Sequence, residues 1–323
     1  MILVDQQEET KGETSTNIDD DDDSEVASGE FIFIIDRSGS MGGNRISLAK
    51  QALMLFIRSL PPDSLFNVVS FGSSYELMFD QNKKYDNNTM QQALSEIETF
   101  SSNLGGTQLE GAINSVLSTA HDYKYPRNVF VLTDGAISNT QTVLDIIEKH
   151  NHETRVHSFG IGSGASKYLV NEIAHSGKGT ATHIADGDKQ INAKVIRALK
   201  QAAKPAFTNV NIDWKGNRKA IELSCPESPY MSNIYEEEPF NMYAIISESQ
   251  VKESDICLTF FNTYEQTEKE VVFKIDLSKI QVSGDGHEFQ LAARRYIDFC
   301  DRFDKKEANS ESMTKISTQY QVL

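Results

Sequence analysis

The chain has 323 residues, of which 39% are hydrophobic and 24% are charged, a balance typical of a soluble globular protein. No apolar run approaches the roughly 18 residues that a membrane-spanning helix needs, and residues 1–4 lack the flanking pattern of a secretory signal. Three widely spaced cysteines exclude a disulfide framework, so we expect a cytoplasmic protein. The net charge of −16 would repel phosphate, which argues against a nucleic acid partner.

The negative charge is concentrated at the N terminus. Residues 1–30 carry eleven acidic side chains, including an unbroken run at 19–23, against a single basic residue, Lys11. Because this segment has almost no aliphatic content, it cannot bury enough apolar surface to fold. We therefore expect residues 1–29 to be a disordered acidic tail, and a solvated linker rather than a docking segment.

The rest of the chain is organised around an apolar run at 31–35. Five consecutive apolar residues do not alternate with polar ones, so they predict a central strand that is covered on both faces. The run stops at Asp36, and Ser38 and Ser40 follow, which places three oxygen side chains on one tight turn. Since ligands of open α/β sheets collect at the carboxyl ends of the strands, this turn is a candidate binding site.

Strand and helix patterns alternate from residue 30 to residue 203. Helical spacing predicts helices at 46–60, 90–97, 109–117, 143–147, 168–174 and 191–203. Apolar runs predict strands at 31–35, 66–71, 129–132, 156–161 and 181–185, with a hairpin partner near 75–79. Asn88 or Thr89 is expected to cap the second helix. The alternation predicts an α/β fold: a doubly wound, mainly parallel, Rossmann-like sheet over 30–203.

After residue 203 the periodicity changes. Apolar and polar residues alternate at 210–214, and further short strands are predicted at 220–223, 240–246, 256–261 and 271–275. No helical spacing separates them, so this pattern predicts a small antiparallel β domain over 204–282. An amphipathic helix followed by a polar tail is expected over 283–323.

Two further loops bring oxygen side chains to the same end of the predicted sheet. Thr107 follows Gly105 and Gly106, which allow the backbone to bend. Asp134 comes directly after the second fully apolar strand, 129–132. Because the carboxyl ends of parallel strands share one edge, we expect these side chains to meet the Asp-x-Ser-x-Ser turn in one crevice.

This constellation resembles the metal-ion-dependent adhesion site of the von Willebrand factor A domain, which has the form Asp-x-Ser-x-Ser, then Thr, then Asp. All five positions match, at Asp36, Ser38, Ser40, Thr107 and Asp134. The strings at 30–41, 59–61, 66–72 and 104–107 resemble a narrower group, the intracellular proteins related to inter-alpha-trypsin inhibitor heavy chains and to the vault-associated poly(ADP-ribose) polymerase.

Members of that group usually carry a β-rich VIT domain ahead of the A domain. Here only the acidic tail precedes residue 30. Residues 315–323 resemble the beginning of a segment that continues in the family. The resemblance therefore implies a fragment or a shortened relative that lacks the VIT domain and retains the ion site.

Two carboxylates and three hydroxyls form a hard oxygen set that suits Mg²⁺, with Mn²⁺ or Ca²⁺ as substitutes, whereas Zn²⁺ prefers His or Cys. The resemblance implies that one carboxylate binds through water, which leaves the ion able to attract a further carboxylate. We predict a non-enzymatic module that binds a protein presenting Asp or Glu. The predicted rim that selects this partner consists of Arg37, Met41, Asn44, Arg45 and Ser138.

Two alternatives stay open at this stage. A Mg²⁺-assisted hydrolase would also need a general base, and the three ligand loops contain no histidine. A structural subunit of a larger assembly would differ from a single binding module mainly in valency, and the sequence does not determine the oligomeric state.

Overall fold

The computed structural model describes residues 27–135, 137, 139–235, 238–246, 255–274, 287–303 and 307–322. Residues 1–26, which make up most of the predicted acidic tail, lie outside this set. The disorder expected for the tail therefore stays a prediction.

A seven-stranded sheet forms the centre of the molecule. Its strands are β1 (Glu30–Asp36), β2 (Leu65–Phe71), β3 (Tyr75–Leu77), β4 (Lys83–Lys84), β5 (Arg127–Thr133), β6 (Thr154–Ile161) and β7 (Lys178–Ile184). Their order is β3-β2-β1-β5-β6-β7, with β4 paired to β2; the sheet is parallel from β2 to β7 and antiparallel where β3 and β4 join β2. Because β2 and β5 flank β1 on opposite sides, the chain reverses its winding direction there. Such a reversal opens a crevice at the carboxyl ends of β1 and β5.

Helices cover both faces of this sheet. They are α1 (Asn44–Ser59), α2 (Asn87–Thr99), α3 (Leu109–Leu117), α4 (Thr140–His150), α5 (Lys167–Ser176) and α6 (Ile191–Ala202). Side chains of α1, α2 and α6 form the core on one face, and those of α3, α4 and α5 form the core on the other. Phe33 of β1 points into the first core and Ile34 into the second, as the two-residue period of a strand requires. The prediction of a strand buried on both faces, in a doubly wound sheet, is confirmed.

The start of α2 differs from the prediction. Asp86, rather than Asn88 or Thr89, is the N-cap: its carboxylate accepts the Thr89 amide at 2.8 Å, and its own amide donates to Thr89 Oγ1 at 3.1 Å. This reciprocal pair is a capping box, which satisfies two backbone donors at once. A cap chosen from residue type alone misses it because the arrangement depends on the spacing of both partners.

The chain after α6 is built from antiparallel strands. They are β8 (Ala206–Asp213), β9 (Ile221–Cys225), β10 (Ile234–Tyr235), β11 (Tyr243–Ile246), β12 (Asp255–Asn262) and β13 (Thr267–Lys274). One sheet has the order β10-β8-β12-β13, and β9 pairs with β11. The expected antiparallel β region is therefore present, while the boundaries proposed for it, 204–282, stay a prediction.

Two helices, rather than one, follow the antiparallel strands. The expected amphipathic helix is α7 (His287–Phe303), and α8 (Glu307–Tyr320) occupies the part that was predicted to be a polar tail. Ile316 of α8 is buried against Leu223 of β9 and Ala293 of α7. Since α8 contains few apolar residues, its helical periodicity in the sequence is weak, and packing against the rest of the protein stabilises the helix more than its own sequence does.

Within the described parts of the chain, none of the helices has both the length and the apolar character needed to span a bilayer.

Candidate metal centre

Asp36 lies at the carboxyl end of β1 and is fully buried. Its Oδ1 accepts the backbone amide of Ser38 at 2.9 Å, and its Oδ2 accepts the hydroxyl of Thr133 at 2.7 Å. Burial raises the pKa of Asp36; the hydrogen bonds from Ser38 and Thr133 offset part of this effect, and the negative charge of Asp134 adds to it. No cationic side chain of the described residues pairs with Asp36. A cation bound here would therefore relieve an unfavourable charge.

The two serines of the first loop lie side by side. Their Oγ atoms are 2.9 Å apart, with Ser38 buried and Ser40 exposed. Two ligands at right angles around Mg²⁺, each at its usual distance of about 2.1 Å, are about 3 Å apart. The hydroxyl pair thus has the separation of two adjacent ligands, and it leads from the buried carboxylate to the surface.

The loop that carries Thr107 is joined to the first loop through the backbone. The amide of Gly39 donates to the carbonyl of Gly105 at 2.8 Å, and the amide of Leu104 donates to the carbonyl of Arg37 at 3.0 Å. Gly105 has a φ of 80°, a left-handed conformation that favours glycine, and it supplies the expected bend. Thr107 follows two residues later, on a loop whose position is fixed relative to the serines.

The side chain of Arg37 strengthens this junction. Its Nε donates to the carbonyl of Ser101 at 3.1 Å, its Nη2 donates to Asn103 Oδ1 at 2.7 Å, and its guanidinium lies 4.5 Å from the ring centre of Phe100. The side chain is only 11% exposed. Arg37 therefore holds the Thr107 loop from inside the protein, and the prediction that it belongs to the partner rim is corrected.

The other predicted rim residues divide into three groups. Met41 is completely buried in the core beneath α1, so it presents no surface to a partner and its assignment to the rim is wrong. Asn44 and Arg45 begin α1 at the surface, where Asn44 Nδ2 donates to Asp186 Oδ1 at 3.1 Å. Ser138 lies outside the described residues.

The third loop begins with Asp134, directly after β5. Its backbone carbonyl accepts the amide of Ser166 at 3.0 Å, and the residue is 5% exposed. Nη1 of Arg45 lies 2.9 Å from Asp134 Oδ2 and also 2.9 Å from the carbonyl oxygen of Ser40. The guanidinium therefore bridges the first and third loops and places a positive charge beside the second carboxylate.

The residues present fit a hard divalent ion. Hydrogen bonds join Asp36 to Ser38 and Ser38 to Ser40, Arg45 joins this loop to Asp134, and Thr107 lies on a loop bonded to it through the backbone. Among the described residues, no three His, Cys, Asp or Glu side chains cluster, as a zinc centre or a carboxylate-rich calcium site would require. A Mg²⁺ ion bound here would be held by these five side chains, and it would supply positive charge and a place for an external ligand.

Thr133 belongs to this centre although sequence reasoning did not select it. The register of β1 and β5 pairs Ile35 with Leu132, so the next residue of each strand lies beside the other, and Thr133 reaches Asp36. The only sequence signal was its place in the polar cluster that ends β5. Asp186, which accepts from Asn44 and from the amide of Ser163 at 3.1 Å, had no sequence signal at all.

Residues 29–183 match the family model of the von Willebrand factor type A domain. The chain is a von Willebrand factor A domain protein. Such domains are in general modules that bind other proteins.

Curated relatives carry the same domain name. A von Willebrand factor A domain-containing protein of Dictyostelium discoideum is 30% identical over 289 residues, which cover 89% of this chain and 34% of the relative. The human von Willebrand factor A domain-containing protein 5B1 is 32% identical over 225 residues, or 70% of this chain and 18% of the relative. This chain therefore spans about a third or less of the length of these relatives.

Solved structures show the same fold at low sequence identity. The ArnB paralog VWA2 of Sulfolobus acidocaldarius has a TM-score of 0.52 at 16% identity, covering 92% of this chain and 80% of that one. A von Willebrand factor type A structure from Catenulispora acidiphila has a TM-score of 0.51 at 15% identity, covering 90% and 82%. The likeness extends past the large sheet of the A domain into the antiparallel region.

Proposed function

We propose that this von Willebrand factor A domain protein is a non-enzymatic, Mg²⁺-dependent binding module that captures an Asp or Glu side chain of a protein partner. The observation that carries the proposal is the buried carboxylate of Asp36, which has no cationic partner among the described residues and lies beneath a pair of hydroxyls. Leaving a buried charge uncompensated costs several kcal/mol. A divalent ion at this point would offset that cost.

The chemistry of the ligands explains why an external carboxylate would be attracted. Two carboxylates balance the charge of Mg²⁺, and the hydroxyls of Ser38, Ser40 and Thr107 add none. Mg²⁺ requires six ligands and commonly keeps several waters, which a stronger oxygen ligand can replace. With one of the two carboxylates bound through water, the ion keeps a net positive charge among its direct ligands, and a partner carboxylate would supply a further charged ligand. We propose a cytoplasmic setting, because Cys225, Cys257 and Cys300 are buried thiols.

The test measures ion binding and partner capture on the full chain. Mn²⁺, which electron paramagnetic resonance detects when it is free, is titrated into the wild type, Asp36→Asn and Asp134→Ala. Asp145→Ala is the control, because it removes an exposed carboxylate on α4. We expect one saturable site in the wild type and in the control, and loss of that site in the other two variants.

Partner capture is then compared in Mg²⁺ and in EDTA with proteins from a cell lysate, and captured proteins are identified by mass spectrometry. The proposal predicts capture that needs Mg²⁺ and is lost in Asp36→Asn. Capture that is unchanged in EDTA would contradict it. Hydrolysis of a generic phosphate ester that requires both Mg²⁺ and Asp134 would favour an enzyme instead.

A further inference from the structure

Asp134 already has a cation beside it, supplied by the protein. Nη1 of Arg45 donates to Asp134 Oδ2 at 2.9 Å and to the carbonyl of Ser40 at 2.9 Å. The Asp134 side chain is 3% exposed, whereas that of Arg45 is 36% exposed. The guanidinium therefore reaches from the surface into the crevice and contacts one of the two carboxylates that a metal ion would need.

The position of the Arg45 side chain is set by the loop between β6 and α5. A Cβ added at Gly162 would lie 3.1 Å from Cγ and Nε of Arg45, and a Cβ added at Gly164 would lie 3.4 Å from Nη2. Gly162 has a φ of 87°, so this loop can approach closely only because glycine tolerates that conformation. The arm of Arg45 thus lies in a slot between two loops of the crevice, and its contact with Asp134 is part of the packed structure.

We propose that Arg45 is a built-in counter-cation that competes with the divalent ion for Asp134, so that the ion alone binds weakly and an acidic partner increases its affinity. This inference rests on the proposed function, since it concerns the regulation of the same site. A guanidinium keeps its charge at all accessible pH values, so the competition does not relax on titration.

Two effects of Arg45 on ion affinity oppose each other. A hydrogen-bond partner that orients a ligand usually raises metal affinity, and its loss costs about 10- to 100-fold. A positive charge in contact with the ligand lowers metal affinity, because it repels the ion and occupies an oxygen that the ion would use. The repulsion dominates here, since the donor is a full cation that contacts the carboxylate oxygen itself, while Asp134 is also held by the backbone bond from Ser166.

The same competition explains how a partner would help the ion to bind. A carboxylate of the partner can pair with the guanidinium once the ion has taken Asp134, and its charge also attracts the ion. Ion and acidic partner would then bind cooperatively, each increasing the affinity of the other by the same factor. The guanidinium of Arg45 would then exchange its contact with Asp134 for a contact with the partner at the rim of the site.

The experiment compares Mn²⁺ affinity in the full chain for the wild type, Arg45→Gln and Arg45→Lys. Glutamine removes the charge but keeps a donor, whereas lysine keeps the charge. Arg58→Gln, at the exposed end of the same helix, makes the same change in net charge away from the crevice. We expect Arg45→Gln to bind Mn²⁺ about tenfold more tightly than the wild type. Arg45→Lys and Arg58→Gln should stay within about threefold of it.

Melting curves in EDTA establish that each variant is folded before affinities are compared. An affinity of Arg45→Gln equal to or weaker than that of the wild type would overturn the inference, because Arg45 would then only orient Asp134. In that outcome the wild type still shows saturable Mn²⁺ binding, so the proposed function stands. If neither the wild type nor Arg45→Gln binds Mn²⁺, the proposed function fails and this inference fails with it.

Discussion

Arg37 follows β1 and Arg45 lies in the first turn of α1, on either side of the loop that carries Ser38 and Ser40, and their side chains have opposite roles. Arg37 turns away from the crevice and holds the loop that carries Thr107, through Ser101 and Asn103. Arg45 turns into the crevice and contacts Asp134. In the sequence both are simply basic residues beside a polar turn. Only the tertiary structure distinguishes Arg37, which supports the Thr107 loop, from Arg45, which is proposed to compete with the ion for Asp134.

Arg37→Gln should weaken Mn²⁺ binding by about tenfold, the usual cost of losing an interaction that orients a metal ligand. Glutamine cannot reach both Ser101 and Asn103 or cover the ring of Phe100, so the Thr107 loop loses its support. The measurement is the Mn²⁺ titration, with Arg58→Gln as the control of equal charge. Unchanged affinity would show that the backbone bonds of the loop suffice without the side chain.

His157 should make the stability of the protein depend on pH. It is fully buried, its Nδ1 accepts the amide of Thr180 at 3.1 Å, and its ring stacks on Phe130 at 4.7 Å. Burial, helped by the positive charge of Arg155, lowers the pKa of His157 to about 3. In the unfolded chain this histidine has a pKa of about 6.5, so it binds a proton at pH values at which the folded protein leaves it neutral. The free energy of unfolding therefore falls as the pH drops from about 6.5 towards 3.

From this residue alone we expect a loss of about 2 kcal/mol between pH 8 and pH 5. Urea unfolding of the metal-free protein at both pH values measures it. His157→Gln should lower stability at pH 8 and show a smaller difference between the two pH values. An equal difference in both proteins would assign the pH dependence to other groups.

At the scale of single elements, β1 carries a charged residue at each end. Asp36 ends it in the crevice, and Glu30 begins it in a buried ion pair, with Arg127 Nε 2.5 Å from Glu30 Oε2. Arg127 is completely buried, and its Nη1 also donates to the carbonyl of Val116 at 3.1 Å. The strand therefore has a structural end at Glu30 and, at Asp36, the end that carries the candidate ion site.

Arg127→Met should lower the free energy of unfolding by about 3–5 kcal/mol, because it leaves the carboxylate of Glu30 buried without its partner. Adding Glu30→Leu should restore most of that loss, since the double variant buries no unpaired charge. Mn²⁺ affinity should not change in the double variant, because the two ends of β1 are about 20 Å apart. Equal stability of the single and double variants would contradict this account of the pair.

At the scale of the whole molecule, the antiparallel region contacts the A domain far from the crevice. The backbone amide of Asn233 donates to the carbonyl of His152 at 2.9 Å, and its Nδ2 donates to the carbonyl of Glu153 at 3.1 Å. Both acceptors lie directly before the first residue of β6. The core under α7 and α8 is a separate apolar cluster that includes Leu223, Ile245 and Ile316. Mutations at the candidate ion site and in this C-terminal cluster should therefore act independently.

Ile316→Ala should destabilise the C-terminal region by about 2–5 kcal/mol through the cavity it leaves, without a change in Mn²⁺ affinity. Hydrogen exchange should become faster in β9 and β11 and stay slow in β1 and β5. Lys315→Ala, at an exposed neighbouring position, is the control. Faster exchange throughout the large sheet would show instead that both regions unfold as one unit.

The sequence by itself determined the central strands, and it predicted a ligand set for the candidate site. Runs such as 31–35 and 129–132 are apolar without alternation, which favours a strand covered on both faces, and the structure buries every residue of both runs. Asp36, Ser38, Ser40, Thr107 and Asp134 could be chosen because each follows a strand or a glycine bend. These signals are local, so they survive without knowledge of the fold.

The tertiary structure decided which neighbours those residues meet. Met41 packs into the core, Thr133 reaches Asp36 across the β1–β5 register, Arg45 contacts Asp134, and α8 forms on the surface provided by β9 and α7. Each of these contacts either joins segments that are distant in the sequence or depends on which of several possible directions a side chain takes. Periodicity reports whether a residue is buried, but only the packed structure determines what buries it.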